Sequence, residues 1–311
     1  HQSYKLAFTL GVTAAHYAGK INDAEFTAAG YVHFAGDANW WVPSGTAVYS
    51  ANPRDTFYLP IGAKNPFGLE TIATFDQHIL LTEKVEVKQA AWNVVTAVND
   101  YRVLGPVLMT DPNGNRSAVE HDELGMVVKT AVMGKAGSPD GDTLADPTTR
   151  LEYELFNWMN NRKPNFVHTF AREQHGVANP RWQESYAYSN GSGGVVMVKV
   201  QAHPGKAFKV SQDGSKTEVD ADPRWVGNGR TVLNNKGKPV KQYEPYFSTT
   251  HEYEDEKVLR EIGATPILYY DPVGRNIRTL FPNGTFAKVE FTPWWQKVFD
   301  ANDTVKQSQW Y

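Results

Sequence analysis

The stretch Asp271-Pro272-Val273-Gly274-Arg275-Asn276-Ile277-Arg278-Thr279-Leu280-Phe281-Pro282-Asn283-Gly284-Thr285 decides the fold. It contains two turns, each written in residues with restricted conformations. Pro fixes φ at the first corner, an Asp or Asn side chain bonds its own backbone two residues on, and Gly supplies the corner with positive φ. Gly274 and Gly284 lie 10 residues apart. Subtracting a turn of about four residues leaves a strand of about six, an ordinary strand length. The chain therefore runs out, turns and returns as a hairpin.

The same punctuation recurs in both directions from this stretch. It appears at Asn65-Pro66-Phe67-Gly68, Asp111-Pro112-Asn113-Gly114, Asp122-Glu123-Leu124-Gly125, Ser189-Asn190-Gly191 and Asn234-Asn235-Lys236-Gly237. Gly114 and Gly125 are 11 residues apart. A strand, a turn and a returning strand thus repeat roughly every twenty residues, the mark of a repeat architecture. Between the turns the side chains alternate. Leu151, Tyr153 and Leu155 share one face against Glu152 and Glu154, and Thr285, Ala287, Val289 and Phe291 alternate with Phe286, Lys288 and Glu290. Val94–Val98 and Val195–Val200 are apolar without alternation, which predicts cover on both faces.

Helix is expected in short pieces only. Glu254–Ile262, acidic at its start and closed by Gly263, predicts a capped surface helix, and Val12–Tyr17 is a second candidate. Gly134–Pro147 and Pro204–Trp225 are polar and rich in turn residues, and are expected as loops or loosely ordered insertions. The resulting segmentation is an initial β segment 1–60, hairpins over 61–133, a loop insertion 134–147, hairpins over 148–203, a polar insertion 204–225, and hairpins with the short helix over 226–311. These are expected to form one continuous repeat domain. His1 is not a start methionine, and no signal-peptide pattern follows it. Tyr4, Leu6 and Phe8 at one end and Gln309-Trp310-Tyr311 at the other look like strands, so both ends are expected to be cuts in a longer chain.

Composition agrees with β-structure. Of 311 residues, 13% are aromatic, including 15 Tyr and 9 Trp, which suits pleated surfaces better than Leu- and Ala-rich bundles. The hydrophobic share of 41% and mean hydropathy of -0.49 suit a sheet with little core per residue that relies on large amphipathic rings. A net charge of -3 without a Lys/Arg stripe argues against a nucleic-acid partner. The absence of Cys excludes disulfides and thiolate metal sites. No apolar run is long enough for a membrane-spanning helix, so direct membrane insertion is not expected.

Longer strings carry a resemblance. Asp271-Pro272-Val273-Gly274-Arg275 with Ile277 and Pro282-Asn283-Gly284-Thr285 resembles the YD repeat of RHS proteins, and Asp122-Glu123-Leu124-Gly125 with Val127 is a poorer copy. Asn99-Asp100-Tyr101-Arg102-Val103-Leu104, Pro106 and Thr110–Asn115 resemble the middle, SpvB-like region of the B component of ABC-type insecticidal toxin complexes. So do Asp222–Gly227, Asn234–Val240, Tyr243–Ser248, and Pro293-Trp294 with Asn302–Val305, and more loosely Tyr31-Val32-His33 with Trp41–Gly45. The resemblance implies an all-β fold of consecutive antiparallel hairpins forming a curved sheet, one sector of a hollow β-shell. It further implies a secreted, structural, encapsulating segment that sequesters a toxic C-terminal cargo. Implied partners are other RHS-repeat segments of the same or a C-type chain and the encapsulated toxin polypeptide. The A-component channel is reached only through parts outside this segment. The turn residues Asp111, Gly114, Asp122, Gly125, Gly237, Asp271, Gly274, Arg275 and Gly284 are structural in this reading, with no catalytic residue, cofactor or metal.

Chemical signatures fit less well. Gly137-Ser138-Pro139-Asp140-Gly141 has Ala136 where a nucleophile elbow needs Gly, and Gly191-Ser192-Gly193-Gly194 has Val196 where a dinucleotide loop needs its third Gly. His168 and His175 are seven apart, which on a strand puts them on opposite faces. Asp140, Asp142 and Asp146 lack the spaced bidentate Glu of a Ca²⁺ loop and are expected to be solvated. Glu252, Glu254, Asp255 and Glu256 resemble a glycosidase pair in type, but are expected as the charged start of the surface helix. Trp40-Trp41 and Trp294-Trp295 should each place one indole inward and one outward, leaving Trp41 and Trp294 as possible ligand platforms. Two alternatives to the shell therefore stand: a secreted carbohydrate-binding β-protein using those indoles, and a hydrolase with a loop-borne site.

Overall fold

The computed structural model describes residues 2–177, 179–211 and 213–311. It is 44% strand and 10% helix, with large antiparallel sheets, so the all-β expectation holds. The chain divides into two compact units, His1–Thr148 and Thr149–Tyr311.

In the first unit Tyr4–Phe8 pairs antiparallel with Trp40–Pro43, placing Leu6 opposite Trp41. Between them the chain forms a short helix, Leu10–Val12, that widens into a π-turn over Thr13–Tyr17. A second helix, Asp23–Ala28, was not expected from periodicity. Its signal is a capping box: the Asn22 side chain accepts from the Glu25 N–H at 3.0 Å, while Glu25 accepts from the Asn22 N–H at 2.8 Å. Phe26 and Trp40 are buried beneath these pieces and stack at 5.0 Å.

The rest of this unit is a meander. Thr46–Val48, Gly62–Lys64, Glu70–Phe75, Thr82–Val87, Ala90–Asp100, Gly105–Thr110, Asn115–His121 and Val127–Lys135 each pair antiparallel with the next. Sequential neighbours pairing through short turns is the hairpin repeat read from the sequence. Cover on both faces is not found for Val94–Val98, because Val98 is exposed. The 134–147 stretch folds back on its strand: Met133 bridges Gly141, and the Asp142 N–H donates to the Val132 carbonyl at 2.8 Å.

In the second unit Thr149–Glu154, Asn165–Arg172, Trp182–Ser189 and Val195–Ala202 continue as successive antiparallel neighbours. Arg224–Gly227 then pairs with Val195–Ala202, and Tyr246–Ser248 with Arg224–Gly227. The expected polar insertion Pro204–Trp225 is instead ordered β-structure. Gly205–Val210 and Lys216–Ala221 form a hairpin whose first strand meets Tyr246–Ser248 in parallel at Phe208 and Ser248. Its polar composition misled because Lys206 and Asp220 pair across the strands at 2.8 Å while Ala207 faces inward and is buried. A separate sheet orders Thr231–Leu233, Pro239–Gln242, Ile267–Tyr270, Asn276–Leu280, Phe286–Phe291 and Gln296–Phe299.

The core of this unit is Tyr186, Tyr188, Met197 and Trp225, with Phe166, Val196 and Tyr253 packed against it. Alternation explains it: Tyr186 and Tyr188 on one strand, and Met197 on the next, face the same way. Val195 and Val200 are exposed, so this strand too has one covered face. The covering segment runs from Thr249 to Arg260. Its helix is only Lys257–Arg260 and is not a surface helix, because Leu259 and Arg260 are buried. Trp310 and Tyr311, expected as strand, follow a 3-10 turn at Val305–Gln307 and are exposed.

Candidate functional site

The most repeated arrangement in the molecule is a turn. At Asp111 one carboxylate oxygen accepts from the N–H groups of Asn113 at 2.9 Å and Asn115 at 2.8 Å. The Gly114 N–H donates to the Asp111 carbonyl at 2.9 Å, with Gly114 at φ +85°. Positive φ costs a residue with Cβ about 1–2 kcal/mol, which is why glycine stands there. Asp122 repeats this with Leu124 and Met126, ahead of Gly125, and Asp271 with Val273 and Arg275, ahead of Gly274. Asn65, Asn190 and Asn234 do the same with an amide oxygen, the last ahead of Gly237. The working motif is thus Asx-x-x-Gly-x, each side chain closing two backbone donors that a tight hairpin leaves open. Gly284 closes a variant, with Phe281 at the first position and Asn283 accepting from the Thr285 N–H at 3.1 Å.

Arg275 extends the motif. Its Nε–H donates to the second Asp271 oxygen at 2.7 Å, and its guanidinium lies 4.3 Å from the centre of the Phe291 ring. Desolvation opposes the charged form of Asp271, but the bonds from the Arg275 backbone and side chain outweigh it and hold the carboxyl below its ordinary value. At Asp111 desolvation is likewise outweighed by the Asn115 bonds, with Asn113 and Gly114 adding to them. These carboxylates are committed to backbone donors.

The two candidate platforms differ. The Trp41 indole N–H donates to Asp37 Oδ2 at 2.7 Å, and its ring meets Phe34 edge-on at 5.7 Å, so it is half-buried and held. Its neighbour Trp40 is buried, as alternation requires. Trp294 is 91% exposed and Trp295 is exposed as well, contrary to the one-in, one-out expectation. The pair lies in a turn, where the Thr292 hydroxyl accepts from both backbone N–H groups at 3.3 and 3.0 Å, and strand periodicity does not apply there.

Sequence reasoning missed the buried charge in the second unit. Lys199 lies two residues beyond Met197 on the core face and is fully buried. Its ammonium pairs with Glu254, donates to the Thr250 carbonyl at 3.2 Å and lies 4.9 Å from the Tyr246 ring centre. Glu254 also accepts from the Tyr246 hydroxyl at 3.2 Å and the Ser248 hydroxyl at 2.9 Å. Burial pushes the Lys199 amine down, opposed by the Glu254 charge. Glu254, expected on an exposed helix face, is therefore an anchor of the covering segment. Arg260 is a second anchor, bonding the Val196 carbonyl at 2.9 Å and Asp255 at 2.9 Å. The available signal was the alternation itself, which puts Met197 and Lys199 on one face.

Beside this pair, the Tyr186 ring stacks with His168 at 4.0 Å and His251 at 4.3 Å. His168 Nε2 sits 2.9 Å from Glu184. Burial depresses the basicity of His251, with the His168 and Lys199 charges adding to the effect and Glu252 and Glu184 opposing it. His175 lies beyond the end of the Asn165–Arg172 strand, so the opposite-face argument does not reach it. Asp142, expected to be solvated, is 4% exposed and accepts from the Thr148 hydroxyl at 2.6 Å. Asp140 accepts from the Ser138 hydroxyl at 2.6 Å. No helix of the described residues is long and apolar enough to cross a membrane.

Both units are thus built from successive antiparallel hairpins closed by one repeated turn. No protein-family model and no curated protein match the chain. Solved structures do. A crystal structure of TcdB2-TccC3 matches over 98% of this chain and 16% of its own, with 23% identity and a TM-score of 0.68. TcdB2-TccC3 without its hypervariable C-terminal region matches 98% of this chain and 18% of its own, with 19% identity and a TM-score of 0.66. The Photorhabdus luminescens Tc holotoxin pore matches with the same four values. The chain thus has the fold of a segment of these Tc toxin proteins and spans less than a fifth of their length.

Proposed function

We propose that this chain is a structural, encapsulating segment of an RHS-repeat shell in a secreted toxin-complex B-type protein, where it helps to sequester a toxic C-terminal cargo. The observation that carries the reading is a match over 98% of the chain to TcdB2-TccC3, joined to a turn motif repeated in both units. The chemistry supports it. The carboxylates of the repeated turns hold backbone, and the buried Lys199–Glu254 pair holds a covering segment, so these polar groups serve shape, as a structural role for the segment requires. Segments 1–60, 61–133, 148–203 and 226–311 act as successive parts of one repeat domain, with the 134–147 excursion and the 204–225 hairpin between them. Partners are neighbouring RHS-repeat segments, of the same or a C-type chain, and the enclosed polypeptide.

The test is protease protection. The full parent chain is co-produced with its C-type partner, and the cargo is followed on digestion. Cargo that survives until the shell is denatured supports the reading; cargo cut as fast as the free polypeptide overturns it. A second reading, carbohydrate binding, is favoured by one observation, the 91% exposure of Trp294. A glycan array with Trp294→Ala and Trp41→Ala controls separates the two. Binding lost in the Trp294→Ala chain supports the lectin reading, and no binding by the unaltered chain removes it.

A further inference from the structure

The first unit contains a cleft that the shell reading does not use. It lies between the helical pieces and the Trp40–Pro43 strand, with a volume of roughly 520 Å³. Its floor is apolar, made by Phe26 and Trp40, and Tyr17 stands on its wall at the end of the π-turn. Leu10 and Ile21 form a rim that is left exposed, at 60% and 38%. π-turns inside helices are rare and recur at functional sites, because the wider turn displaces side chains from their ordinary rows.

Asp37 lines the cleft beside this apolar floor. Its carboxylate accepts from the Asn39 backbone N–H at 2.9 Å, the Asn39 amide at 2.7 Å and the Trp41 indole at 2.7 Å. Those bonds fix its orientation, and the Asn39 N–H, followed by the Trp41 indole, holds its pKa below the ordinary carboxylate value. The group is an anion throughout the neutral range. Among the described residues, no Lys or Arg pairs with it. His33, also on the cleft, lies tilted against Trp40 with ring centres 3.6 Å apart and bonds the Asn39 carbonyl through Nδ1 at 2.8 Å, while Asp23 adds a second negative charge at the lip.

We propose that this cleft binds a lysine or arginine side chain of a polypeptide segment, the aliphatic stem lying along the rim and floor and the charged head meeting Asp37. Carboxylate lone pairs reward N–H donors, which ammonium and guanidinium carry and a quaternary amine lacks. The exposed Leu10 and Ile21 provide apolar contact for the stem and the residues beside it, as long cationic side chains require.

The test is isothermal titration at about pH 8. The probes are acetyl-Leu-Lys-Leu-amide, its Nε-acetylated form, the arginine analogue and choline. The expected result is saturable binding of the lysine and arginine peptides, at least tenfold weaker after acetylation, and choline no better than the acetylated peptide. Asp37→Asn, which removes the charge and leaves one acceptor oxygen for the Asn39 and Trp41 donors, is expected to weaken binding at least tenfold. Ile21→Ser, on the exposed rim, should weaken it severalfold even if the Asp37 variant folds poorly. Equal binding of charged and acetylated peptides, binding of choline alone, or no binding by the unaltered chain overturns the proposal.

Discussion

Replacing Glu254 by Gln isolates the cost of the buried charge. The side chain keeps its size and an oxygen for the Ser248 hydroxyl, but the Lys199 ammonium loses its counter-charge while staying fully buried. What remains for it is the Thr250 carbonyl at 3.2 Å and the Tyr246 ring, neither of which neutralises a charge. Removing one partner of a buried pair costs about 3–5 kcal/mol. For units of this size that corresponds to a fall in Tm of roughly 6–20 °C. Lys199→Met should be milder: it removes the charge that is hardest to solvate, and Glu254 keeps two hydroxyl donors and a side chain 12% open to water. The double variant should be more stable than the sum of the singles by about 2 kcal/mol, the coupling of a contacting pair. Urea unfolding of the four proteins, followed by tryptophan fluorescence, gives all four numbers. A Glu254→Gln chain within about 1 kcal/mol of the unaltered protein, or additive singles, refutes the account of this node.

The turn motif makes its own prediction: Gly114→Val should cost about 1–2 kcal/mol because Gly114 sits at φ +85°, whereas Gly191→Ala, with open space around it and no positive φ, should change stability by less than about 0.5 kcal/mol in the same urea assay. Asp111→Ala should cost about 0.5–1.5 kcal/mol, since two exposed hairpin N–H groups exchange their carboxylate acceptor for water. Because burial holds the folded-state basicity of His251 below its ordinary value, the unfolded chain takes up the proton first as pH falls. The stability due to a neutral His251 is therefore complete above the ordinary histidine range and is lost on acidification. His251→Phe should lose less Tm than the unaltered chain between about pH 7.5 and about pH 5.5, and an equal loss would exclude His251 as a source of acid sensitivity. Trp294→Ala should leave thermal stability within about 0.5 kcal/mol, because a side chain 91% exposed packs on little.

The hairpins were legible because their signals are local. A turn such as Asp271–Arg275 needs Asx, Gly and a following N–H within five residues, and each can be read from the chain. Alternation likewise placed Trp40 inward. What was missed depends on contacts distant in sequence. The pairing of Lys199 went unread because Glu254 lies 55 positions away, and the acidic run 252–256 looked like a helix face for the same reason. The 204–225 stretch failed on composition, because a hairpin paired by Lys206 and Asp220 has the polarity of a loop. Trp294 and Trp295 failed because a strand rule was applied to a turn. The Asp23–Ala28 helix had a readable signal in Asn22 and Glu25, too short for periodicity to register.

The central claim is that these 311 residues are wall. It is tested most directly by electron cryomicroscopy of the full parent chain together with its C-type partner. The account predicts that the hairpins of each unit are bordered by further strands of the shell and face an internal cavity containing cargo density. A map in which this segment stands apart as a closed domain, with no cavity against its sheets, contradicts it.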